Sequence, residues 1–180
     1  QLASSVNFAI GRTVTQMRVN LPLSQVVLDN TKQIETCAFR VGTDEQSWLD
    51  VNNRAFSDHP EQGGWTKEIL QSRQQEPWFS PNGFLLHHVD NKLAGFCWTK
   101  LHPETQPVLG EIYVIAVEPD FAGRGLGRSL TVAGLQHLAK LGTTVGMLYV
   151  DNQNSIALNM YTDLGFTSHH QQCAFVGDVH

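Results

Sequence analysis

The sequence predicts one α/β domain built on a mixed sheet, and three observations carry that expectation. Its 180 residues are 41% apolar, enough for a single core. Short apolar or alternating runs read as strands, and longer runs with helical spacing lie between them. In order they give β-α-α-β-β-β-α-β-α-β, with helices early and late around a hairpin-rich centre, which is a layered α/β arrangement.

Taken in turn, the elements start with a strand over 34–41 (IETCAFRV). Thr43 is then a plausible N-cap, with Asp44 and Glu45 in the first turn of a helix to about Phe56. A loop, HPEQGG, leads to a second helix from about Thr66 to Gln75. Strands at 83–90 and 93–102 are joined by a tight turn at Asn91. Beyond Pro103–Pro107 the most apolar strand, 109–117 (LGEIYVIAV), ends at Glu118-Pro119. A glycine-rich loop at 122–128 opens a helix to about Leu141, in which Leu130, Ala133, Leu135 and Leu138 make a core stripe. A strand at 144–151, a helix at 154–163 closed by Gly165, and a last β segment from Phe166 complete the domain. Residues 1–28 hold Arg12 and Arg18 but no acid, and Thr13–Leu21 alternates like a strand. They read as an appendage, the tail of a preceding domain or a linker, with the main domain starting near Gln33 and running over 33–180.

Charge and composition narrow the function. A net charge of −5 and the lack of any Lys/Arg cluster argue against nucleic-acid binding. No apolar run approaches the roughly 18 residues of a membrane span. Cys37, Cys97 and Cys173 are odd in number and far apart, so they read as reduced thiols and not as a disulfide frame or zinc site. The expectation is a cytoplasmic protein, and Gln1 in place of Met points to a fragment or a processed product. His87-His88 alternate across a strand and His169-His170 fall in an apparent turn. Neither pair has a carboxylate or thiolate at ligand spacing, so no metal is expected.

The most informative stretch is Glu118-Pro-Asp-Phe-Ala-Gly-Arg-Gly-Leu-Gly-Arg128, which joins the most apolar strand directly to a helix. Glycines there let the backbone turn tightly and approach a ligand. Free N–H groups at the helix start form an anion site, and Arg124 and Arg128 add charge for phosphate. The loop lacks a Gly-Lys-Ser/Thr ending and the spacing of the dinucleotide fingerprint. Alone, it fits a ligand-free connection as well. Glu111 is a second signal, since a carboxylate amid apolar strand neighbours is costly unless it has a partner or a task. By alternation it would share a face with Tyr113, Ile115 and Val117. A strand-end carboxylate is the plain alternative. Tyr161 lies two helical turns beyond Asn154 on one face, either as a site residue or as a half-buried core tyrosine.

Together these motifs (an apolar strand, a Gly-x-Gly loop before a helix, then strand-Asn-helix-Tyr-x-x-x-Gly-Phe) resemble the GNAT family of acyl-CoA-dependent N-acetyltransferases over about 35–178. The stretches VNNRAFSDHPEQGGW (51–65), GFCWTK (95–100), GEIYVIAV (110–117), GRGLGR (123–128) and LYVDNQNSIALNMYTDLGFT (148–167) are most similar to the C-terminal catalytic domain of tandem-domain members. Those members act on a cysteinyl amino-sugar inositol. The resemblance implies the GNAT acyltransferase fold, acetyl-CoA as acetyl donor, and direct attack by the amine in a ternary complex. No cysteine placed beside a histidine suggests a covalent route.

It further implies Glu111 as general base, directly or through water, and Tyr161 as proton donor to the leaving thiolate. Ile115, Ala116 and Val117 would present backbone groups to the thioester and pantetheine. Ala122, Gly123, Arg124, Gly125, Leu126, Gly127 and Arg128 would cradle the pyrophosphate. Asn154, Ser155, Ile156, Ala157, Leu158 and Asn159 would line the pantetheine, with Asn154 also free to cap its helix. Glu61, Lys100, Glu111 and Tyr149 would meet the acceptor. Ala122 stands where the family usually has Gln or Arg, so one side-chain contact is lost while the backbone cradle remains. The readings left beside this one are acetylation of another small amine or peptide N-terminus, and a non-catalytic acyl-CoA-binding module.

Overall fold

The structure, a computed structural model, describes residues 9–58 and 62–176. Seven strands form one sheet: β1 (Ala9–Asn20), β2 (Cys37–Ala38), β3 (Phe84–Val89), β4 (Lys92–His102), β5 (Leu109–Val117), β6 (Val145–Asp151) and β7 (Thr167–Val176). The helices are α1 (Gln25–Asp29), α2 (Glu45–Ala55), α3 (Lys67–Gln74), α4 (Leu126–Lys140) and α5 (Ser155–Asp163). Strand order is β2-β3-β4-β5-β6-β1-β7, antiparallel throughout except for the parallel β5–β6 pair. The mixed α/β expectation is met, and β3 to α5 fall within a residue or two of their expected bounds.

Helices on both faces of the sheet bury two apolar cores. On one face α4 presses Leu130, Leu135 and Leu138 onto Cys97, Ile112 and Leu148. Two glycines that pair across β5 and β6, Gly110 and Gly146, let the helix sit this low. A Cβ at Gly110 would lie 2.8 Å from Leu138, and one at Gly146 would lie 2.7 Å from Leu135. On the other face α2 and α3 cover an aromatic core centred on Trp48, which has Trp65, Phe84, Phe96 and Trp98 within 6 Å. Edge-to-face contacts of this kind add roughly 0.5–1.5 kcal/mol each beyond burial.

Several local expectations are corrected. The strand foreseen over 34–41 shrinks to Cys37–Ala38, because the chain turns at Arg40 to begin α2. Thr43 does not cap that helix. Asp44 stands at the N-cap position, and its carboxylate accepts from the Arg40 backbone N–H (2.7 Å) and guanidinium (2.7 and 3.1 Å). That hydrogen-bonded pair holds the Asp44 carboxyl below its ordinary value. His169 and His170 lie in β7 and not in a turn, with His170 opposite Gln16.

The largest correction concerns residues 1–28. The expected break near Gln33 is not a break in this fold. β1 runs between β6 and β7, pairing Val14–Asn20 with 145–151 on one side and Ala9–Arg18 with 167–176 on the other. Met17, Val19, Leu21 and Leu23 are buried in the α4 core. Alternation in TVTQMRVNL is the signature of a half-buried strand, and the sequence carries nothing local to say which sheet takes it.

Removing residues 1–32 should therefore leave β6 and β7 without a common partner and open the α4 core. We expect such a truncation to lose cooperative thermal unfolding, read by circular dichroism. A sharp transition close to that of the whole chain would show β1 to be dispensable.

Candidate functional site

The site begins where two strands part. β5 and β6 pair in parallel over three residues only, Leu109, Gly110 and Glu111 against Val145, Gly146 and Met147. On its other edge β5 stays paired with β4 as far as Val117, with one interruption. Trp98 faces Val114 and Thr99 faces Ile112, so Tyr113 is an extra residue in β5. Such a bulge bends and twists its strand. Beyond Glu111 the edge of β5 facing β6 has no ladder partner among the described residues, and its backbone groups are free for a ligand.

The bulge also overturns the expected facing of this strand. Ile112, Ile115 and Val117 pack toward α4, whereas Tyr113, Val114 and Ala116 pack with the aromatic core. Glu111 therefore does not share a face with Ile115 and Val117. One inserted residue shifts a period of two by half a cycle.

Two adjoining cavities fill the gap. The first, about 210 Å³, is lined by Ile112–Ile115 of β5, Leu148–Asp151 of β6, Phe56, Gln62, Asn154, Ala157 and Tyr161. The second, about 350 Å³, is lined by Ile115, Ala116, Val117, Gly127, Asn154, Ile156, Ala157, Met160 and Tyr161. Tyr161 belongs to both. It is buried, and desolvation raises its phenol well above the ordinary value, so the hydroxyl keeps its proton at neutral pH. Asn154 caps α5 by accepting the Ala157 N–H (3.0 Å) and lines both cavities as well.

At the far end of the slot the loop after β5 makes a short 3-10 turn, Pro119–Phe121, and enters α4 through Gly123 (φ 76°) and Gly125 (φ 74°). No side chain caps α4, so the N–H groups of its first turn are available to an anion, and its dipole favours one. Ala122, Gly123 and Arg124 are exposed just before it, while Leu126 is buried as an anchor. Arg128 donates its Nε to Thr31 Oγ1 (3.0 Å), and Arg124 lies over the Phe121 ring at 5.0 Å. Both guanidiniums are thus steadied by contacts that leave other N–H donors free. Ser129 donates to the Lys32 carbonyl (2.7 Å), and Arg54 of α2 sits 2.9 Å from Glu118. These contacts tie the loop's two stems to the body.

Glu111 lies one residue before the cavity wall, buried, at the point of divergence. Lys100 is its cross-strand partner by register, yet the ammonium rests over Trp78 (4.7 Å) and Tyr113 (5.7 Å). Glu111 instead meets His102, Nε2 to Oε2 at 2.7 Å. Tyr149 lines the first cavity and its hydroxyl accepts from Gln16 Nε2 (2.7 Å), whose carbonyl accepts from Arg18 Nε (2.9 Å). Glu61 lies outside the described residues. The structure thus brings Ile115, Ala116, Val117, Gly127, Asn154, Ile156, Ala157, Tyr149 and Tyr161 to the slot. Ser155, Leu158 and Asn159 follow in the first turns of α5 without lining either cavity.

Sequence reasoning missed His102, Gln16, Trp78 and Met160. Only His102 left a trace, at even spacing from Lys100 on one strand. Gln16 is reached through long-range pairing that no local pattern reports. Among the described residues no cluster of three His, Cys, Asp or Glu could hold a metal, and no helix is long and apolar enough to cross a membrane. Chemically, the slot suits an extended ligand that bonds along the β5 edge and ends in negative charge at α4, with a carboxylate and a neutral phenol near its other end.

Known proteins resemble the chain in sequence and in fold. The family model described as "Acetyltransferase (GNAT) family" matches residues 45–166. A mycothiol acetyltransferase of Thermomonospora curvata is 49% identical over 92% of this chain and 55% of its own length. One of Acidimicrobium ferrooxidans is 46% identical over 95% of this chain and 56% of its own. The chain therefore spans about half the length of these relatives. A GCN5-related N-acetyltransferase from Sphaerobacter thermophilus superposes with a TM-score of 0.77 at 20% identity, covering 97% of this chain and 54% of that one.

Conformation, and not space, constrains the loop. A Cβ at Gly125 would meet no atom within 4 Å, but its φ is left-handed. Gly127 is helical, and a Cβ there would lie 3.7 Å from Met160, an ordinary contact. Gly125→Ala should then cost about 1–2 kcal/mol, whereas Gly127→Ala should be neutral or slightly stabilising. Urea denaturation of both variants checks this, and equal costs at the two positions would contradict it.

Proposed function

The chain belongs to the GNAT family of acetyltransferases, and on that premise we propose that it transfers the acetyl group of acetyl-CoA to the cysteinyl amine of a cysteinyl-glucosaminyl-inositol, giving mycothiol. The observation that carries the reading is the slot between β5 and β6, spanned by one buried, protonated tyrosine. The names of the relatives point to mycothiol.

In this reading the pantetheine arm lies along the free edge of β5 at Ile115, Ala116 and Val117, faced by the first turns of α5 from Asn154 to Asn159. The pyrophosphate meets the N–H groups from Ala122 to Arg128. A thioester carbonyl held at the β5 edge has backbone N–H donors where its oxyanion forms. The acceptor amine needs to be neutral to attack. Its reference pKa is about 8, so a modest base suffices. Glu111 takes a proton from the amine, directly or through water, as the nitrogen bonds to the carbonyl carbon. Collapse of the adduct breaks the carbon–sulfur bond, and Tyr161 gives its proton to the departing thiolate. The raised pKa of Tyr161 fits a group that must hold its proton until then.

Lys100, Tyr149 and Glu61 are the proposed acceptor contacts. A charged Lys100 spread over Trp78 and Tyr113 presents N–H donors beside an aromatic face, which suits a polyhydroxylated ring. The greater length of its relatives supports a further, GNAT-like domain as the partner of this one.

Three measurements test this reading. Mass spectrometry of a panel of amines with acetyl-CoA should find the cysteinyl amino-sugar inositol acetylated in preference to simple amines and peptide N-termini; a peptide preferred over it would reject the acceptor. Tyr161→Phe keeps the ring while removing the donor, so kcat should fall by roughly 10²-fold with acetyl-CoA affinity and melting temperature little changed. Full turnover in that variant, maintained with poorer leaving thiols, would leave Tyr161 a packing residue. Gly125→Asp should weaken acetyl-CoA binding by calorimetry, since a carboxylate then faces the pyrophosphate; unchanged affinity would remove the phosphate role from the loop.

A further inference from the structure

His102, at the last position of β4, stands between two carboxylates. Its Nε2 is 2.7 Å from Glu111 Oε2 and its Nδ1 is 3.0 Å from Glu104 Oε1. The three side chains grade outward, with relative exposures of 10% for Glu111, 16% for His102 and 68% for Glu104. A carboxylate at the point where β5 leaves β6 is therefore connected to the surface by one imidazole.

The turn between β4 and β5 is built to hold this line. Thr105 donates its hydroxyl to the carbonyls of His102 (2.9 Å) and Pro107 (2.8 Å), and it accepts the Leu109 N–H (3.0 Å). The Thr105 backbone N–H also bonds the His102 carbonyl, at 3.2 Å. These bonds close the loop so that Glu104 folds back onto the ring two residues before it. Lys100 shares the face but spends its charge on Trp78 and Tyr113. Glu104 is held below its ordinary value by its own backbone N–H first and by His102 second, so it stays an anion facing the ring.

We propose that His102 is the positioning residue of Glu111 and relays the proton that Glu111 takes from the acceptor amine outward to Glu104 and water. This rests on Glu111 being the base. The balance is one proton in and one out. The amine proton passes to the Glu111 carboxylate and then to His102 Nε2. The ring gives its Nδ1 proton to Glu104 or to solvent, which leaves the Nε2–H tautomer, and a tautomer exchange through solvent restores Nδ1–H before the next turnover. No electrons move and no bond to carbon changes. The carboxylate is returned to its basic form without opening the buried site to water.

The test uses Glu111→Gln, His102→Ala, His102→Gln and Glu104→Gln in the whole chain, following loss of thioester absorbance with the cysteinyl amino-sugar inositol as acceptor. We expect His102→Ala to lower kcat about tenfold or more while KM for acetyl-CoA and the melting temperature hold. Millimolar imidazole should restore turnover in that variant and leave the unaltered chain unaffected. His102→Gln retains an N–H donor for Glu111 but cannot pass a proton, so it too should be slow and should respond less to imidazole. Glu104→Gln should slow turnover more mildly, because water can take its place. Full turnover in folded His102→Ala would overturn the proposal, and so would full turnover in His102→Gln, which would leave the ring a mere orienting group. If Glu111→Gln is itself fully active, the reading of Glu111 as base fails and the relay falls with it. A slow Glu111→Gln beside a fast His102→Ala rejects the relay alone.

Discussion

The three-residue parallel pairing of β5 with β6 is the constraint from which the rest of the site follows. Gly110 and Gly146 meet in that short ladder, directly under Leu138 and Leu135 of α4. The helix clamps the two strands together where they are bare of side chains. One residue further on the ladder ends at Glu111, and β5 is then bent by the bulge at Tyr113. A sheet that stops pairing must satisfy its backbone groups by other means, and a ligand with amides of its own can do so. The slot is thus a consequence of one bulge and one low-lying helix.

The bulge also sorts the chemistry between faces. Before it, Glu111 lies with Lys100, His102 and the aromatic core beneath α2 and α3. After it, Ile115 and Val117 turn toward α4 and α5, where the glycine-entered helix and Tyr161 stand. The two faces of the same strand thus differ in chemistry and come together near its bend. The aromatic core gives the Glu111 side rigid walls. Trp98 stacks on Phe84 with 4.3 Å between ring centroids, and Trp78 crosses Tyr113 at 4.9 Å, so Lys100 rests on a surface with little freedom to move.

Separation of β5 from β6 places a further demand on β6. With one edge largely unpaired, the strand depends on its other edge for order, and β1 supplies seven register pairs there. β1 then carries β7 on its outer side and sends Gln16 to the hydroxyl of Tyr149. A segment distant in sequence from every motif thereby holds a residue of the slot in place. Arg128 and Ser129, bonded to Thr31 and Lys32, extend the same dependence to the first turn of α4.

Elements with a strong local period were legible without a structure. The alternation of 84–89 and 92–102 about Asp90-Asn91, the apolar run 109–117, and the glycines leading into α4 act over a few residues, and local sterics decide them. The family motifs likewise lie in contiguous strings, so Ala122–Arg128 and Asn154–Asn159 could be proposed as a cofactor cradle by resemblance. What the sequence withheld was long-range. An extra residue in one strand relative to its neighbour is visible only once the two are paired, so the facing of Glu111 against Ile115 was misread. The place of β1 in the sheet, and His102 closing on Glu111 from another strand, are decided by pairing and by the fold of a turn. Local propensity can say that a segment is a strand; only the tertiary structure chooses its partners, because the free energy of that choice resides in contacts between residues far apart in the chain.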